Sequence, residues 1–213
     1  MTDRAIDRSA ATRRALQALC AADADLARIR PAVGLLPRRR RDPGFRSLAA
    51  IMVQQQVSLA SAAAIWARLE AHLGRVEPSR LLGESDAALL GCGLSRPKLR
   101  YLRAAAMAVS AGDLDLEGLA ALPEAQAREA MVQVTGIGRW TADIYLSTAL
   151  GHPDIWPAHD LALQVALQDA KGLAGRPLPR DTDLIALAWA PHRSTAARLL
   201  WAHYRVIKGR DAV

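Results

Sequence analysis

Aromatic residues are scarce in this sequence of 213 residues: Phe, Trp and Tyr together make up 4%, although hydrophobic residues make up 51%. Ala and Leu supply most of the apolar content, and this mixture favours helices over strands. The two cysteines, Cys20 and Cys92, are too few to form a zinc finger or a four-cysteine iron–sulfur site on their own. No apolar run approaches the roughly 20 residues of a membrane span, and the first residues lack the apolar core of a secretory signal. We therefore expect an all-α, cytoplasmic protein with reduced cysteines.

Acidic residues are outnumbered: 21 Asp and Glu stand against 28 Lys and Arg, so the formal net charge is +7. A basic globular protein often binds a polyanion, which makes nucleic acid the first candidate partner and a membrane surface the second. The run Arg38–Arg41 within PRRRRDPGF admits two interpretations, a solvated basic turn or a contact to DNA.

Helical patterns bounded by glycine or proline follow one another along the chain, and strand signals are few. About ten helices are predicted, a number that suits the length because helices average about 11–12 residues. The first is predicted from about Ser9 to Arg30, ending near Pro31 and Gly34.

The segment VTGIGRWTADIY, Val134–Tyr145, has two glycines around one apolar residue, followed at once by a helical pattern. Glycine takes positive φ without penalty, so two helices can be joined tightly here. The backbone amides at the start of the second helix, together with the helix dipole, make an anion site suited to a DNA phosphate. An ordinary helical hairpin with glycine caps is the alternative. The residues predicted to contact phosphate are Gly136, Gly138, Arg139, Trp140 and Thr141.

Four segments follow in order between about Asp42 and Trp201: AAIMVQQQVSLASAAAIWARL, VTGIGRWTADIYL, WPAHDLALQVAL and PHRSTAARLLW. Together they resemble the helix-hairpin-helix DNA glycosylase superfamily that also contains endonuclease III. Within it they resemble the bacterial 3-methyladenine DNA glycosylase II family, in a short form without the N-terminal sheet domain. The resemblance implies an all-α fold of two helical lobes with an active-site cleft between them. Residues of about 42–150 would form one lobe with the hairpin and a wedge helix, and residues 1–41 and 151–213 would form the other.

The resemblance also narrows the activity. Bifunctional members of the superfamily, which also cut the DNA backbone, carry a Lys two residues after the second hairpin glycine, where this chain has Trp140. Without an amine at that position a Schiff base cannot form there, so no AP-lyase activity is expected. Relatives with an iron–sulfur cluster usually carry four cysteines near the C-terminus, whereas no cysteine follows Cys92. Both differences indicate a monofunctional glycosylase for alkylated purines such as 3-methyladenine and 7-methylguanine, without an iron–sulfur cluster.

Site residues follow from the same resemblance. Asp160 would be the catalytic carboxylate, which stabilises the oxocarbenium character of sugar C1′ and orients the attacking water. Gln56 would be the DNA wedge that fills the gap left by the flipped base, with Gln55 supporting the turn. Trp140 would stack on the cationic base through a cation–π contact. The plain alternatives are a helix cap for Asp160, a core position for Trp140 and an exposed helix face for the glutamines. The further base-pocket candidates are Tyr145, Trp156 and His192.

Two positions depart from the family pattern, because His192 and Ile144 stand where an aromatic residue is common. They leave the lesion spectrum open. Arg193 and Ser194, at the start of the closing helix, are predicted to contact DNA phosphates. No cofactor is expected except a structural Na⁺ or K⁺. By resemblance this ion would bind the backbone carbonyls of Val132, Val134 and Ile137.

The predicted partner is double-stranded DNA that contains damaged bases, bound by a monomer at the bacterial nucleoid. A non-enzymatic helix-hairpin-helix DNA-binding protein is the alternative from another class. Such a protein would keep the glycines but has no need of an acidic residue after a Trp-Pro loop. A glycosylase for uracil, hypoxanthine or an oxidised base is the other alternative.

Overall fold

The computed structural model describes residue 7, residues 9–37 and residues 41–209. Of the predicted basic run, Arg38–Arg40 therefore lie outside the described residues. Within the described ranges the chain forms twelve α-helices and no β-strand, which confirms the all-α prediction. In chain order the helices are α1 (Ala10–Ala22), α2 (Ala24–Val33), α3 (Phe45–Gln54), α4 (Leu59–Leu73), α5 (Pro78–Gly83), α6 (Asp86–Gly91), α7 (Arg96–Ala111), α8 (Glu124–Val132), α9 (Arg139–Tyr145), α10 (Leu161–Lys171), α11 (Pro179–Ala186) and α12 (Arg193–Ile207).

The chain divides into two compact units. The central unit comprises residues 41–150 and holds α3 to α9. The split unit comprises the described parts of residues 1–40 and 151–213, and it holds α1, α2 and α10 to α12. Short 3₁₀ segments at Gly118–Ala121 and Leu187–Trp189 and a π-helical turn at Leu146–Leu150 complete the helical structure. No helix in the described part of the chain is both long and apolar enough to span a membrane.

Helix α3 lies at the core of the central unit. Its apolar residues are not confined to one stripe, and a helix that is hydrophobic on most sides is buried. It packs against α4, α7 and α9. Because α3 is held on several sides, the position of its C-terminal end at Gln54 is fixed. The buried apolar side chains of α3 are Phe45, Leu48, Ala49, Ile51, Met52 and Val53.

Helix α12 has the corresponding role in the split unit. Its Ala196, Ala197, Leu199 and Leu200 are buried, and the helix packs against α10, α2 and α1. This packing brings Trp201, near the middle of α12, to the N-terminal end of α10.

The prediction of one helix from Ser9 to Arg30 is wrong, because the chain turns at Asp23. The N–H of Asp23 donates to the carbonyl of Leu19 at 2.9 Å and closes α1. Its carboxylate accepts the N–H groups of Asp25 at 3.0 Å and Leu26 at 3.3 Å, which caps α2. One aspartate thus ends one helix and begins the next, since its side chain competes with the backbone for helical hydrogen bonds.

Arg41, the described member of the basic run, is tied into the central unit. Its N–H donates to the carbonyl of Thr148 at 2.8 Å, and its guanidinium donates to Oε1 of Gln54 at 3.3 Å. Burial lowers the pKa of Arg41, and the nearby charge of Arg46 lowers it further. The solvated turn considered from the sequence is therefore wrong for this residue.

Candidate active site

The turn between α8 and α9 is a tight hairpin. Gly136 has a φ of +91°, and a Cβ atom on this residue would overlap Cβ and Cγ of Tyr101 on α7. Ile137, between the two glycines, is buried, and its N–H donates to the carbonyl of Val134 at 3.0 Å. Position 136 therefore requires glycine for two reasons, the positive φ of the backbone and the close approach of Tyr101.

Gly138 serves a different purpose. It is the N-cap of α9, with extended backbone angles (φ −85°, ψ 172°) that any residue can adopt. Among the described residues beyond its chain neighbours, no heavy atom lies within 4 Å of the position that a Cβ would take. The fold leaves open space there, directly at the helix end where the first amides have no intrahelical acceptor. This is the geometry that an approaching anion needs.

The side chain of Thr141 does not face such an anion, so its predicted phosphate contact is wrong. Thr141 is buried, and its Oγ1 accepts a hydrogen bond from Nε2 of Gln55 at 2.7 Å. The same Nε2 donates to the carbonyl of Gly136 at 3.2 Å. Gln55 therefore joins the end of α3 to the hairpin, which agrees with a supporting role rather than with insertion into DNA.

A buried carboxylate holds the arginines of the hairpin. Asp143, on α9, is fully buried and accepts a hydrogen bond from Nε of Arg128 on α8 at 2.6 Å. Nε of Arg139 lies 3.6 Å from its other oxygen, Oδ2. Burial alone would lower the pKa of Arg128, but Asp143 and Glu124 raise it overall. The cluster binds α8 to α9 and places Arg139 in the first turn of α9.

The three glutamines after Val53 lie at a sharp turn, not on one helix face. Helix α3 ends at Gln54, Gln55 is its C-cap, and Gln56 has a φ of +54°. Such an angle is uncommon outside glycine. Gln56 is exposed, and so are Val57 and Leu59 just beyond it. The turn thus presents an amide and two apolar side chains to solvent.

In the split unit, Asp160 is fixed by two hydrogen bonds. It is the N-cap of α10, and its Oδ1 accepts the N–H of Leu163 at 3.0 Å. The same oxygen accepts the indole N–H of Trp201 on α12 at 3.1 Å. The carboxylate is half-buried and lies at the N-terminal end of α10. Asp160 is therefore a helix cap, as the plain alternative predicted, and a capping carboxylate can also be catalytic. No local pattern indicates Trp201, which lies 41 residues further along the chain.

At the start of α12, the phosphate contact predicted for the buried Ser194 is wrong, and Arg193 is held in an ion pair within the protein. The guanidinium of Arg193 forms two hydrogen bonds to Asp154, from Nε at 2.9 Å and from Nη2 at 2.8 Å. Ser194 is buried, its Oγ donates to the carbonyl of His152 at 2.7 Å, and its N–H donates to the carbonyl of Pro153 at 3.0 Å. Both residues therefore hold the loop of residues 152–155 that leads towards Asp160.

Two of the predicted base-pocket residues belong to the core. Tyr145 is fully buried, and its hydroxyl accepts the N–H of Gly44 at 2.8 Å. Trp156 is 2% exposed, donates its indole N–H to Thr182 at 3.1 Å, and meets Trp189 edge-on with 5.2 Å between ring centroids. Neither ring offers a face on which a base could stack, so we do not assign them to a base pocket.

Trp140 and His192 remain candidates. Trp140 is half-buried and is the second residue of α9. His192 is half-buried as well, and it forms the N-cap of α12 with its N–H donated to the carbonyl of Trp189 at 2.7 Å. Both side chains therefore keep part of their surface accessible to a ligand.

The comparison with known families decides the assignment of the chain. The family model of HhH-GPD superfamily base excision DNA repair proteins matches residues 49–192. The chain belongs to this superfamily. The match covers α4 to α11, most of α3 and the loop before α12, and it includes both the hairpin and Asp160.

Individual relatives in the superfamily agree with this assignment. The chain is 32% identical over 196 residues to the probable bifunctional transcriptional activator/DNA repair enzyme AlkA of Mycobacterium tuberculosis (84% of this chain, 37% of the relative). It is 26% identical over 125 residues to the alkylbase DNA glycosidase-like protein of Schizosaccharomyces pombe (58% of this chain, 59% of the relative). The structure also resembles that of the S. pombe 3-methyladenine DNA glycosylase in complex with abasic DNA. That likeness has a TM-score of 0.83 and 26% identity, and it covers 88% of this chain and 95% of the other. The chain thus spans 37–59% of the length of these two curated relatives.

Proposed function

We propose that this protein is a monofunctional DNA glycosylase that excises alkylated purines of the 3-methyladenine and 7-methylguanine type. The observation that carries the proposal is the position of Asp160, a half-buried carboxylate held at the N-terminus of α10 by its own helix and by the indole of Trp201. Membership of the base excision repair superfamily supports it. So does the similarity to relatives that are named as DNA repair enzymes and alkylbase glycosylases.

In the proposed reaction the bond between sugar C1′ and the base nitrogen breaks, and the electron pair leaves with the base. An alkylated purine is already cationic, so it departs as a neutral base without further protonation. The sugar then has oxocarbenium character, which the carboxylate of Asp160 stabilises. Asp160 also orients the attacking water and accepts a proton from it, and the products are the free base and an abasic site.

The hairpin and the wedge turn supply the DNA contacts in this proposal. The amides at the N-terminus of α9 bind a backbone phosphate in the open space beside Gly138, with Arg139 adding charge. Gln56 fills the gap in the duplex that opens when the base is flipped out. Trp140 stacks on the cationic base, a contact that contributes about 0.5–2 kcal/mol.

Trp140, at the position of the lysine of bifunctional members, supports a monofunctional reaction, and two of the three lysines of the chain are engaged within the protein. The chain has three, Lys98, Lys171 and Lys208, and a Schiff base needs a deprotonated amine. The ammonium of Lys98 is bound to backbone carbonyls, and that of Lys171 is paired with Asp23 at 2.7 Å. We expect borohydride to trap no covalent adduct between the protein and abasic-site DNA. A trapped adduct would show lyase chemistry and would contradict a monofunctional reaction.

A structural Na⁺ or K⁺ at the hairpin is part of the proposal. Helix α8 ends at Val132, whose carbonyl is among those at a helix end that lack an intrahelical partner. With the carbonyls of Val134 and Ile137 it would provide hard oxygen donors for a monovalent cation, which would add positive charge where a phosphate approaches. Replacing both ions by tetramethylammonium in the buffer should weaken binding to duplex DNA. Unchanged affinity would show that no such ion contributes to DNA binding.

The substrate class is tested by identifying the released bases by mass. DNA treated with a methylating agent should yield 3-methyladenine and 7-methylguanine, because the positive charge of these bases favours both stacking and departure. Duplexes with uracil, hypoxanthine or 8-oxoguanine should yield much less. Release of one of those bases instead would favour a glycosylase for another lesion, and no release from any duplex despite tight binding would favour a non-enzymatic DNA-binding protein. We further propose that the protein acts on DNA as a monomer at the nucleoid in the cytoplasm.

A further inference from the structure

The wedge turn is held in an unfavourable backbone conformation. Gln56 is the one residue other than glycine with a positive φ in the described part of the chain. Its side chain is exposed, so no burial of its own stabilises the turn. A non-glycine residue in this region persists where the surrounding structure holds it. The contacts that hold Gln56 must therefore come from its neighbours.

Lys98 provides those contacts from one side. Its Nζ donates to the carbonyls of Met52 at 3.2 Å, Val53 at 3.0 Å and Gln55 at 2.6 Å. These carbonyls lie at the C-terminal end of α3, where a cation complements the helix dipole, and the carbonyl of Met52 also accepts the N–H of Gln55 at 3.3 Å. An ammonium has three protons, and each carbonyl takes one of them. Burial lowers the pKa of Lys98, so the contact occupies a partly desolvated position.

Gln55 provides the contacts from the other side. Its side chain donates to Gly136 and Thr141 in the hairpin, while its own carbonyl accepts Lys98. Lys98 itself lies in the first turn of α7, and Tyr101, one turn later in the same helix, packs against Gly136. Helix α7 thus fixes the wedge turn through Lys98 and the hairpin through Tyr101.

We propose that Lys98 is a positioning residue for base flipping, which holds Gln56 in the conformation that enters the duplex. This inference rests on the proposed glycosylase function. In this proposal Lys98 does not contact the DNA, because its ammonium donates its hydrogen bonds to backbone carbonyls. Its loss should therefore act on the flipped state of DNA and leave binding to intact duplex almost unchanged.

The test compares Lys98→Met, which keeps the length of the side chain and removes its three donors, with wild type. Affinity is measured for an intact duplex and for the same duplex with a tetrahydrofuran abasic-site analogue. A left-handed conformation costs a residue other than glycine about 1–2 kcal/mol, which is roughly a factor of ten in an equilibrium constant. We therefore expect the preference for the abasic duplex to be about tenfold lower in Lys98→Met than in wild type. Affinity for intact duplex should change by less than about threefold, which corresponds to less than about 0.7 kcal/mol. Lys208→Met, which removes one exposed charge just after the end of α12, should leave the preference at the wild-type value.

A rescue experiment separates positioning from a general structural role. Asn adopts the left-handed region several times more readily than most residues, so Gln56→Asn should restore part of the abasic-site preference in the Lys98→Met background and bring no gain in wild type. If Gln56→Asn instead lowers the preference by the same factor in Lys98→Met as in wild type, the two residues act independently and the positioning role is contradicted. Where Lys98→Met proves too unstable to measure, Lys98→Gln retains two N–H donors and should show an intermediate preference.

The role of Lys98 and the glycosylase function fail in different experimental results. If wild type neither releases methylated bases nor prefers the abasic duplex, the proposed function fails and the inference fails with it. If wild type does both and Lys98→Met keeps the full preference, the function stands and the positioning role of Lys98 is refuted. A similar loss on both duplexes would mean that Lys98 contributes to general DNA binding, which also overturns the inference.

Discussion

Replacing Gly138 by Asp tests whether the hairpin binds phosphate. The structure makes this an unusually clean change, because no described atom beyond the chain neighbours lies within 4 Å of the new Cβ and the backbone angles suit any residue. Asp is also a good N-cap, so the free protein should unfold at the same denaturant concentration or slightly higher. Any loss of DNA binding then reflects the interaction itself and not the fold.

The magnitude follows from electrostatics. A carboxylate about 4 Å from a phosphate is repelled by about 1 kcal/mol in water and by about 4 kcal/mol at an effective dielectric constant of 20. The helix end is exposed, so we take a value between these limits and expect affinity to fall by about 10- to 100-fold at low salt. The loss should be the same for intact and abasic duplexes, because backbone contacts do not depend on the base. It should shrink as salt screens the repulsion.

Fluorescence anisotropy with a labelled duplex measures this loss, and Gly138→Asn is the matched control. Asn has nearly the same size and the same capping ability but no charge, so it should reduce affinity far less. Wild-type affinity of Gly138→Asp at low salt would refute a phosphate at this helix end, and the hairpin would then be a structural element alone.

Three further changes test other parts of the site. Gly136→Ala should lower the free energy of unfolding by about 1–3 kcal/mol, because the new methyl group overlaps Tyr101 in a positive-φ position; urea denaturation equal to wild type would contradict the close approach. Trp201→Phe keeps the packing of the ring but removes the N–H donated to Asp160, so single-turnover excision should slow by about tenfold or more, since a hydrogen bond to a charged group contributes about 1.5–3 kcal/mol, while affinity for substrate DNA stays constant. An unchanged excision rate would mean that this hydrogen bond does not position the carboxylate. Asp143→Ala should destabilise the protein by about 1–3 kcal/mol, because Arg128 loses its buried acceptor and keeps only Glu124, and a change below about 0.5 kcal/mol would show that the cluster is structurally dispensable.

Local signals explain what could be predicted from the sequence. The glycines of the hairpin have a short-range conformational cause, and the capping position of Asp160 follows from its place before an apolar helix. The helical content follows from the many Ala and Leu residues. Each of these features depends on residues within one or two turns of each other. The break at Asp23 was not predicted, because the helical pattern continues on both sides and conceals a single capping residue.

Long-range packing explains what could not be predicted. Whether Thr141, Tyr145, Trp156 and Ser194 face the core or a ligand depends on helices far away in the chain, so their chemical type alone was misleading. The contact between Gln55 and Gly136 joins residues 81 positions apart. The contacts that Lys98 and Trp201 make with the wedge turn and with Asp160 span more than 40 positions each. Neither hydrophobic periodicity nor a local motif in a single sequence indicates which distant residues will be in contact.

The central claim is that Asp160 carries the chemistry, and Asp160→Asn tests it most directly. Asn caps a helix as well as Asp does and can still accept from Leu163 and Trp201, so the fold and the affinity for an abasic duplex should remain close to wild type. The negative charge alone is lost. Single-turnover release of 7-methylguanine from methylated duplex should then fall by about 10²-fold or more. Release within a few-fold of the wild-type rate, at equal DNA occupancy, would contradict the catalytic role of Asp160.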